Sequence, residues 1–295
     1  MNSASNAVTE TQAAAQPVAA TGMSWTGPFF WSIRRELWES KYIYIAPLGV
    51  AAVFFLAFAI VDPSQRRHPI QMPYEISGAL IMGTALLVGL FYAVDALYSE
   101  RRDRSILFWK SLPVSDLTAV LSKLAIPLVI VPLLSFVITI VTQLLMLLFS
   151  SAVRLGTGVR VAELWSQPIS FFQVSLMLLY HIVLVHGLWY LPIYGWLLLV
   201  SAWAPRAPLL WAVLPPFVIY GIEKLAFNTS YFLALLQERF LGPSSHGAGA
   251  MGKGSMTDQL IPHHFFSEPG LWVGLAVGAI FIAAAVRLRR YRGPI

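Results

Sequence analysis

Apolar residues in this chain come in long blocks, and polar residues gather in short stretches between them. A helix rises 1.5 Å per residue, so about 20 residues cross a hydrocarbon layer about 30 Å thick. Lipid offers no water to backbone amides, so blocks of this length are expected to be helical. The pattern predicts six spans: Tyr42–Val61, Tyr74–Tyr98, Leu117–Phe149, Phe171–Val200, Leu209–Ala226 and Leu271–Val286. Pro127 and Pro132 predict a kink in the third, and the fourth carries Pro192. The fifth is short and interrupted by Pro215-Pro216.

The polar stretches divide by pattern. Residues 1–22, MNSASNAVTETQAAAQPVAATG, have almost no large apolar side chain and cannot bury enough surface to order themselves. The chain therefore reads as a disordered tail over 1–25 and one membrane domain over 26–295. GPFFWSIRRELWESK, residues 27–41, mixes aromatics with charges and suits a helix in the membrane surface, aromatics dipped in and charges out. Between the last two spans, SYFLALLQERFLG (230–242) has the spacing of a short amphipathic helix. PSSHGAGAMGKGS then reads as a flexible linker, and IPHHFFSEP is aromatic enough to touch the membrane interface, His263 and His264 included.

Composition turns these blocks from a soluble core into lipid-facing helices. The chain is 57% hydrophobic and 12% charged, about half the charge of an ordinary soluble domain. Its net charge of +6 needs no nucleic-acid partner, because Lys and Arg accumulate on the cytoplasmic side of membrane proteins. With the N-terminus inside, 13 of the basic residues fall on the cytoplasmic side and 7 on the other. Six spans then place both termini in the cytoplasm, with RLRRYR as the closing anchor. There is no cysteine, which excludes disulfides and thiolate metal sites.

Candidate chemistry is sparse. GAGAMGKGS (247–255) has the glycines of a phosphate loop, but Gly254 stands where the magnesium-binding hydroxyl belongs, and no strand precedes it. Asp95 lies near the inner end of the second span. His181 and His186 in the fourth are five apart, about 140° around a helix, too far round to share a metal. His186 forms a polar-aromatic face with Trp189 and Tyr190, and Gln173 and Tyr180 form another. Such groups serve either as helix-to-helix hydrogen bonds or as the lining of a substrate path; Asp95, Gln173, Tyr180, His181 and His186 are the path candidates. An ion-coupled secondary transporter needs midplane carboxylates and repeats, and an intramembrane enzyme needs clustered acids or histidines. Asp95 is the only acid clearly inside a span and no repeat is visible, so an ion-coupled secondary transporter stands as the alternative reading, and the spans lack the clusters an enzyme needs.

The densest charge lies in YSERRDRSILFWKSLPVSD, residues 98–116, between the second and third spans. Glu100 and Arg104 stand as an i,i+4 acid-before-base pair, which predicts one short exposed helix. Ile106 and Trp109 project together from it, Leu112-Pro113 ends it, and Ser115 is placed to cap the next span. On composition this stretch is either a docking element or an ordinary basic loop that fixes topology.

Glu100-Arg101-Arg102, Ser105-Ile106-Leu107, Leu112-Pro113-Val114-Ser115 and Lys123 together resemble the signature of the ABC type-2 transporter permease family. The resemblance extends over the layout from residue 25 onward: an interfacial helix, six spans, a cytoplasmic coupling helix between spans two and three, and a helical extracytoplasmic segment between spans five and six. It implies a permease without catalysis of its own that pairs with a second permease copy or a homologue. Two copies of a separate cytoplasmic ATPase would hold the ATP and magnesium. Glu100, Arg101, Arg104, Ile106, Leu107, Leu112 and Pro113 would form the contact with the ATPase, and the 202–207 turn a second, smaller one. Membrane lipids complete the partners, in the plasma membrane of a bacterium. The family implies export, and the aromatic, weakly charged spans favour amphipathic or apolar cargo such as a peptide, lipid or drug-like compound.

Overall fold

The computed structural model describes residues 26–61, 71–111, 114–155, 179, 182, 186–241 and 265–293. Every regular element among them is helical. An amphipathic helix α1 (Thr26–Glu39) leads through Ser40 and Lys41 into α2 (Tyr42–Ile60). Helix α3 (Gln71–Arg102) is the longest, and a short α4 (Ser105–Ser111) follows it. Then come α5 (Asp116–Ala125), a π-helical turn (Ile126–Ile130) and α6 (Val131–Leu155). A single turn, Gly187–Trp189, precedes α7 (Leu191–Trp203), followed by α8 (Pro208–Phe227) and α9 (Tyr231–Leu241). The 3-10 turn Phe265–Ser267 opens onto α10 (Pro269–Tyr291).

Among the described residues, five helices are long and apolar enough to cross a membrane: Tyr42–Ile60, Pro73–Arg102, Asp116–Val153, Pro208–Phe227 and Pro269–Tyr291. This is a multi-pass membrane protein. Helix α7 is apolar but only 13 residues long. The first part of the fourth expected span, with Gln173, Tyr180 and His181, lies largely outside the described residues, and the 243–255 stretch lies wholly outside them. The amphipathic pattern at 230–242 does fold as helix α9.

The prolines behave in two ways. At Pro127 the third span relaxes into the π turn and continues, because proline has no N–H for the ordinary i to i−4 bond. Pro215 and Pro216 were expected to interrupt the fifth span, yet α8 runs unbroken through both. Pro216 leaves the carbonyl of Ala212 without its usual donor, and the Trp196 indole N–H of α7 supplies one at 3.0 Å. A neighbouring helix thus satisfies the backbone that proline frees, as a water-free setting requires.

The core forms where α3 and α7 pack, with α10 and the π turn against them. Tyr92, Tyr194, Leu198, Ile126 and Ala285 are buried there. Two glycines permit the closest approach. A Cβ on Gly195 would stand 3.1 Å from the Gly278 carbonyl, and one on Gly89 would meet the Tyr194 hydroxyl at 3.2 Å and Pro127 at 3.3 Å. Small residues bring membrane helices together where lipid gives no hydrophobic drive between them.

Candidate functional site

Most of the described charges converge at one end of the bundle, where α1, α5 and the C-terminal ends of α3, α7 and α10 meet. Helix α1 lays Glu36 inward. Its carboxylate accepts the Lys123 ammonium at 2.7 Å and the Tyr92 hydroxyl at 2.8 Å. Lys123 also reaches Glu100 at 3.3 Å, and the other oxygen of Glu100 accepts Arg289 at 3.3 Å. Arg289 closes the chain on Asp116. Glu36, Lys123, Glu100 and Arg289 are all buried, none more than 6% exposed, so four helices are joined by alternating charges.

Such a chain is stable only as a whole. Each ion pays several kcal/mol to leave water, and attraction at low dielectric offsets this only if every member keeps its partner. Burial alone would raise the Glu36 carboxyl. The charge and hydrogen bond of Lys123, with the Tyr92 hydroxyl and Arg35, outweigh burial and hold it below the ordinary carboxylate range.

Arg101 serves a different purpose. It is buried and donates to the carbonyls of Ala202 at 2.6 Å and Ala204 at 3.3 Å, where α7 ends. Arg292 donates to the Trp203 carbonyl at 2.6 Å. Two guanidiniums thus cover carbonyls that the helix end leaves without intrahelical donors, and their charge suits its negative pole. The Ser201 hydroxyl accepts the backbone N–H groups of Leu97 and Tyr98, each at 2.9 Å, which ties α7 to α3 one turn further in.

The charged stretch between spans two and three is not one helix. Helix α3 stops at Arg102, Arg104 takes φ 59°, and α4 starts afresh at Ser105. The left-handed residue turns the chain, so Glu100 and Arg104 do not share a helix face and their expected pairing is replaced. Glu100 turns inward to Lys123 and Arg289. The elbow also separates the family-signature residues into two groups. Glu100, Arg101 and Ile106 are buried within this chain, whereas Arg104 and Leu107 are exposed. Leu112 and Pro113 lie outside the described residues.

Helix α4 is fastened on one side. Ile106 is buried, Trp109 carries the Arg35 guanidinium 3.4 Å above its ring, and Lys110 donates to the carbonyls of Arg290 at 3.3 Å and Arg292 at 3.2 Å. Leu107 and Phe108, 58% and 60% exposed, face away. The inward placement of Ile106 and Trp109 follows the sequence pattern, as does the Ser115 cap, whose hydroxyl accepts the Thr118 N–H at 3.0 Å. The 202–207 turn lies at the same end, with Pro205, Arg206 and Ala207 exposed.

A cleft of about 300 Å³ opens between α1 and α3 at this end. Asp95, Glu39, Arg35, Tyr42, Ser99 and Arg102 are among its walls, and Asp95 is exposed in it. Asp95 therefore sits with the charged end rather than with His186. His186 stacks on Tyr190 with ring centroids 4.6 Å apart, and its Nε2 lies 3.4 Å from the Tyr194 hydroxyl. Trp189, expected on the same face, turns elsewhere. It is fully buried, packs on Phe265 and donates its indole N–H to the Glu238 carbonyl of α9 at 3.3 Å. Among the described residues no group of acids and histidines could hold a metal ion.

The sequence singles out Glu100 and Lys123, Glu100 as part of an ATPase contact, but not their buried partners Glu36 and Arg289, nor Tyr92 and Asp116 beyond them. Glu36 carries a signal in hindsight: it is an acid amid the apolar face of α1, between Ile33 and Leu37. No protein-family model, no curated protein and no solved structure matches this chain.

Proposed function

We propose that this chain is the membrane-spanning permease subunit of a transporter driven by ATP hydrolysed in a separate cytoplasmic subunit. The observation that carries this reading is the two-sided build of α4. One side is bonded to α1 and α10, and the other offers Leu107 and Phe108 beside the exposed Arg104. A partner that seats those apolar side chains in a groove would grip a handle already joined to two helices, α1 and α10. Pushing α4 moves α1 through Arg35 and Trp109, and α10 through Lys110. The buried charges then carry that displacement to α3 and α5 as one body.

In this reading the chain crosses the bacterial inner membrane six times, with both termini and α4 in the cytoplasm. It works with a second permease copy or a homologue and with two ATPase subunits, exporting an amphipathic or apolar compound. The contact surface is Arg104, Leu107 and Phe108, with the 202–207 turn beside it. Glu100, Arg101 and Ile106 support that surface from behind. ATP and magnesium belong to the partner.

The test is co-purification from native membranes followed by an ATP-driven transport assay. Leu107→Asp with Phe108→Asp is expected to release the ATPase while the permease remains folded in detergent. Full partner retention and full transport in that double variant would overturn the assignment. Transport that persists without any ATPase and follows an ion gradient would replace it with ion-coupled secondary transport.

A further inference from the structure

Helix α1 has an outward face that neither the charge chain nor α4 uses. Its inward face is committed to Glu36 in the buried chain, Arg35 on Trp109, and Ile33 and Leu37 against the core. The outward face exposes three large aromatics, Phe30 at 60%, Trp31 at 61% and Trp38 at 67%. Only Ser40 and Lys41 separate α1 from α2, a helix long enough to cross the membrane, so these rings lie at the membrane boundary. Tryptophan favours that boundary, where one part of the ring meets lipid and its N–H meets water.

Between the two indoles stands Arg34. Its guanidinium carbon lies 5.2 Å from the Trp31 ring centre and 4.9 Å from that of Trp38. Arg34 has no carboxylate partner among the described residues, whereas the adjacent Arg35 is held by Glu39 at 2.8 Å and Glu36 at 3.5 Å. With Glu36 buried and Glu39 engaged by Arg35, the exposed side of α1 carries an uncompensated positive charge, to which Lys41 adds. A guanidinium held between aromatic rings keeps a planar donor fork that matches two oxygens of one phosphate.

We propose that this face of α1 docks anionic phospholipid headgroups, with Arg34 gripping the phosphate and Phe30, Trp31 and Trp38 seated among the upper acyl chains. A soluble phosphate would use the guanidinium but leave three aromatic rings in water, so the bilayer is the occupant. The proposal rests on the membrane-spanning fold and is independent of the ATPase reading.

The experiment uses the full chain in detergent, titrated with brominated phosphatidylglycerol or brominated phosphatidylcholine, and reads tryptophan quenching. The Trp31→Phe, Trp38→Phe double variant isolates the quenching due to α1. The α1 signal is expected to saturate with phosphatidylglycerol at a lower concentration than with phosphatidylcholine. Arg34→Gln should raise the phosphatidylglycerol half-saturation point about tenfold, and Arg34→Lys, which keeps the charge but loses the fork, by less. The phosphatidylcholine curve should not move in either variant. Arg34 is exposed, so an unchanged unfolding midpoint certifies the variants, and Arg34→Lys serves if Arg34→Gln does not fold. Equal curves for the two lipids, or a certified Arg34 variant that binds phosphatidylglycerol like the parent, would overturn the proposal. So would displacement of the lipid by millimolar glycerol phosphate, which would make this a site for soluble anions.

Discussion

The two ends of the bundle are fastened by different chemistry. At the charged end, buried ions alternate from Glu36 through Lys123, Glu100 and Arg289 to Asp116. At the opposite end, α9 is held by rings and backbone carbonyls. Trp189 donates to the Glu238 carbonyl, Tyr190 donates to the Phe240 carbonyl at 2.8 Å, and Arg239 lies 4.3 Å over the Trp189 ring while donating to the Gly270 carbonyl. The first arrangement is all-or-none, because a missing partner strands a buried charge. The second is a set of separable attachments, each worth little alone and each able to let go without exposing a bare ion.

The comparison breaks most severely at Lys123. Lys123→Met takes from Glu36 its shortest ion pair and leaves Glu100 with Arg289 alone, and it is expected to cost about 3–5 kcal/mol, read as a lowered unfolding midpoint in detergent. Adding Glu36→Gln and Glu100→Gln to it should recover most of that loss, because no buried charge is then left unmatched. If Lys123→Met alone is harmless, the ions are not coupled as described.

At the other end the expected effect is smaller and local. Arg239→Ala removes a cation–aromatic contact and a hydrogen bond, about 1–2 kcal/mol, and should speed hydrogen exchange in α9 while leaving the unfolding midpoint nearly unchanged. Gly274→Ala should reproduce this from the opposite side. A Cβ there would stand 2.5 Å from an Arg239 terminal nitrogen, and that flexible tip can be displaced without moving backbone. Global destabilisation by either variant would erase the contrast between the ends.

Glu223 gives a finer adjustment of the same end. Its carboxylate accepts the N–H groups of Tyr231 at 2.6 Å and Phe232 at 2.9 Å and the Thr229 hydroxyl at 2.8 Å, which caps the start of α9. Glu223→Ala is expected to fray the first turn of α9 alone, visible as faster exchange at those two amides.

The smallest expected effect is that of mild acid. The Glu36 carboxyl is held below its ordinary value, so its contribution is complete above the unfolded carboxylate pKa and disappears as pH falls through the lower folded value. Between pH 8 and about pH 5 the packing of α1 should not change, and below about pH 4 it should loosen. Exchange of α1 amides across that range checks the sign. Loosening on the alkaline side would contradict it.

The membrane class and most helices were legible because the signal is local. A block of some twenty apolar residues must satisfy its own backbone, and only a helix does so within one segment. The inward side of α4 and the Ser115 cap were legible for the same reason: helix spacing and capping act over three or four residues. The Glu100–Arg104 pair failed because the i,i+4 rule presumes a continuous helix, and the left-handed Arg104 ends that continuity. The Pro215-Pro216 break failed because the deciding donor, the Trp196 indole, comes from another helix.

By its own order of residues, then, the chain determined which stretches enter lipid, where charge is permitted and how α4 divides into an inner and an outer side. Tertiary packing decided which charge meets which. Glu36 and Glu100 lie 64 positions apart in the chain and Arg289 lies 189 beyond Glu100, yet Lys123 and the shared carboxylates place them in one line. Periodicity has a range of a few residues. The cost of burying a charge extends to whatever the fold brings within 4 Å, and that cost selected the partners.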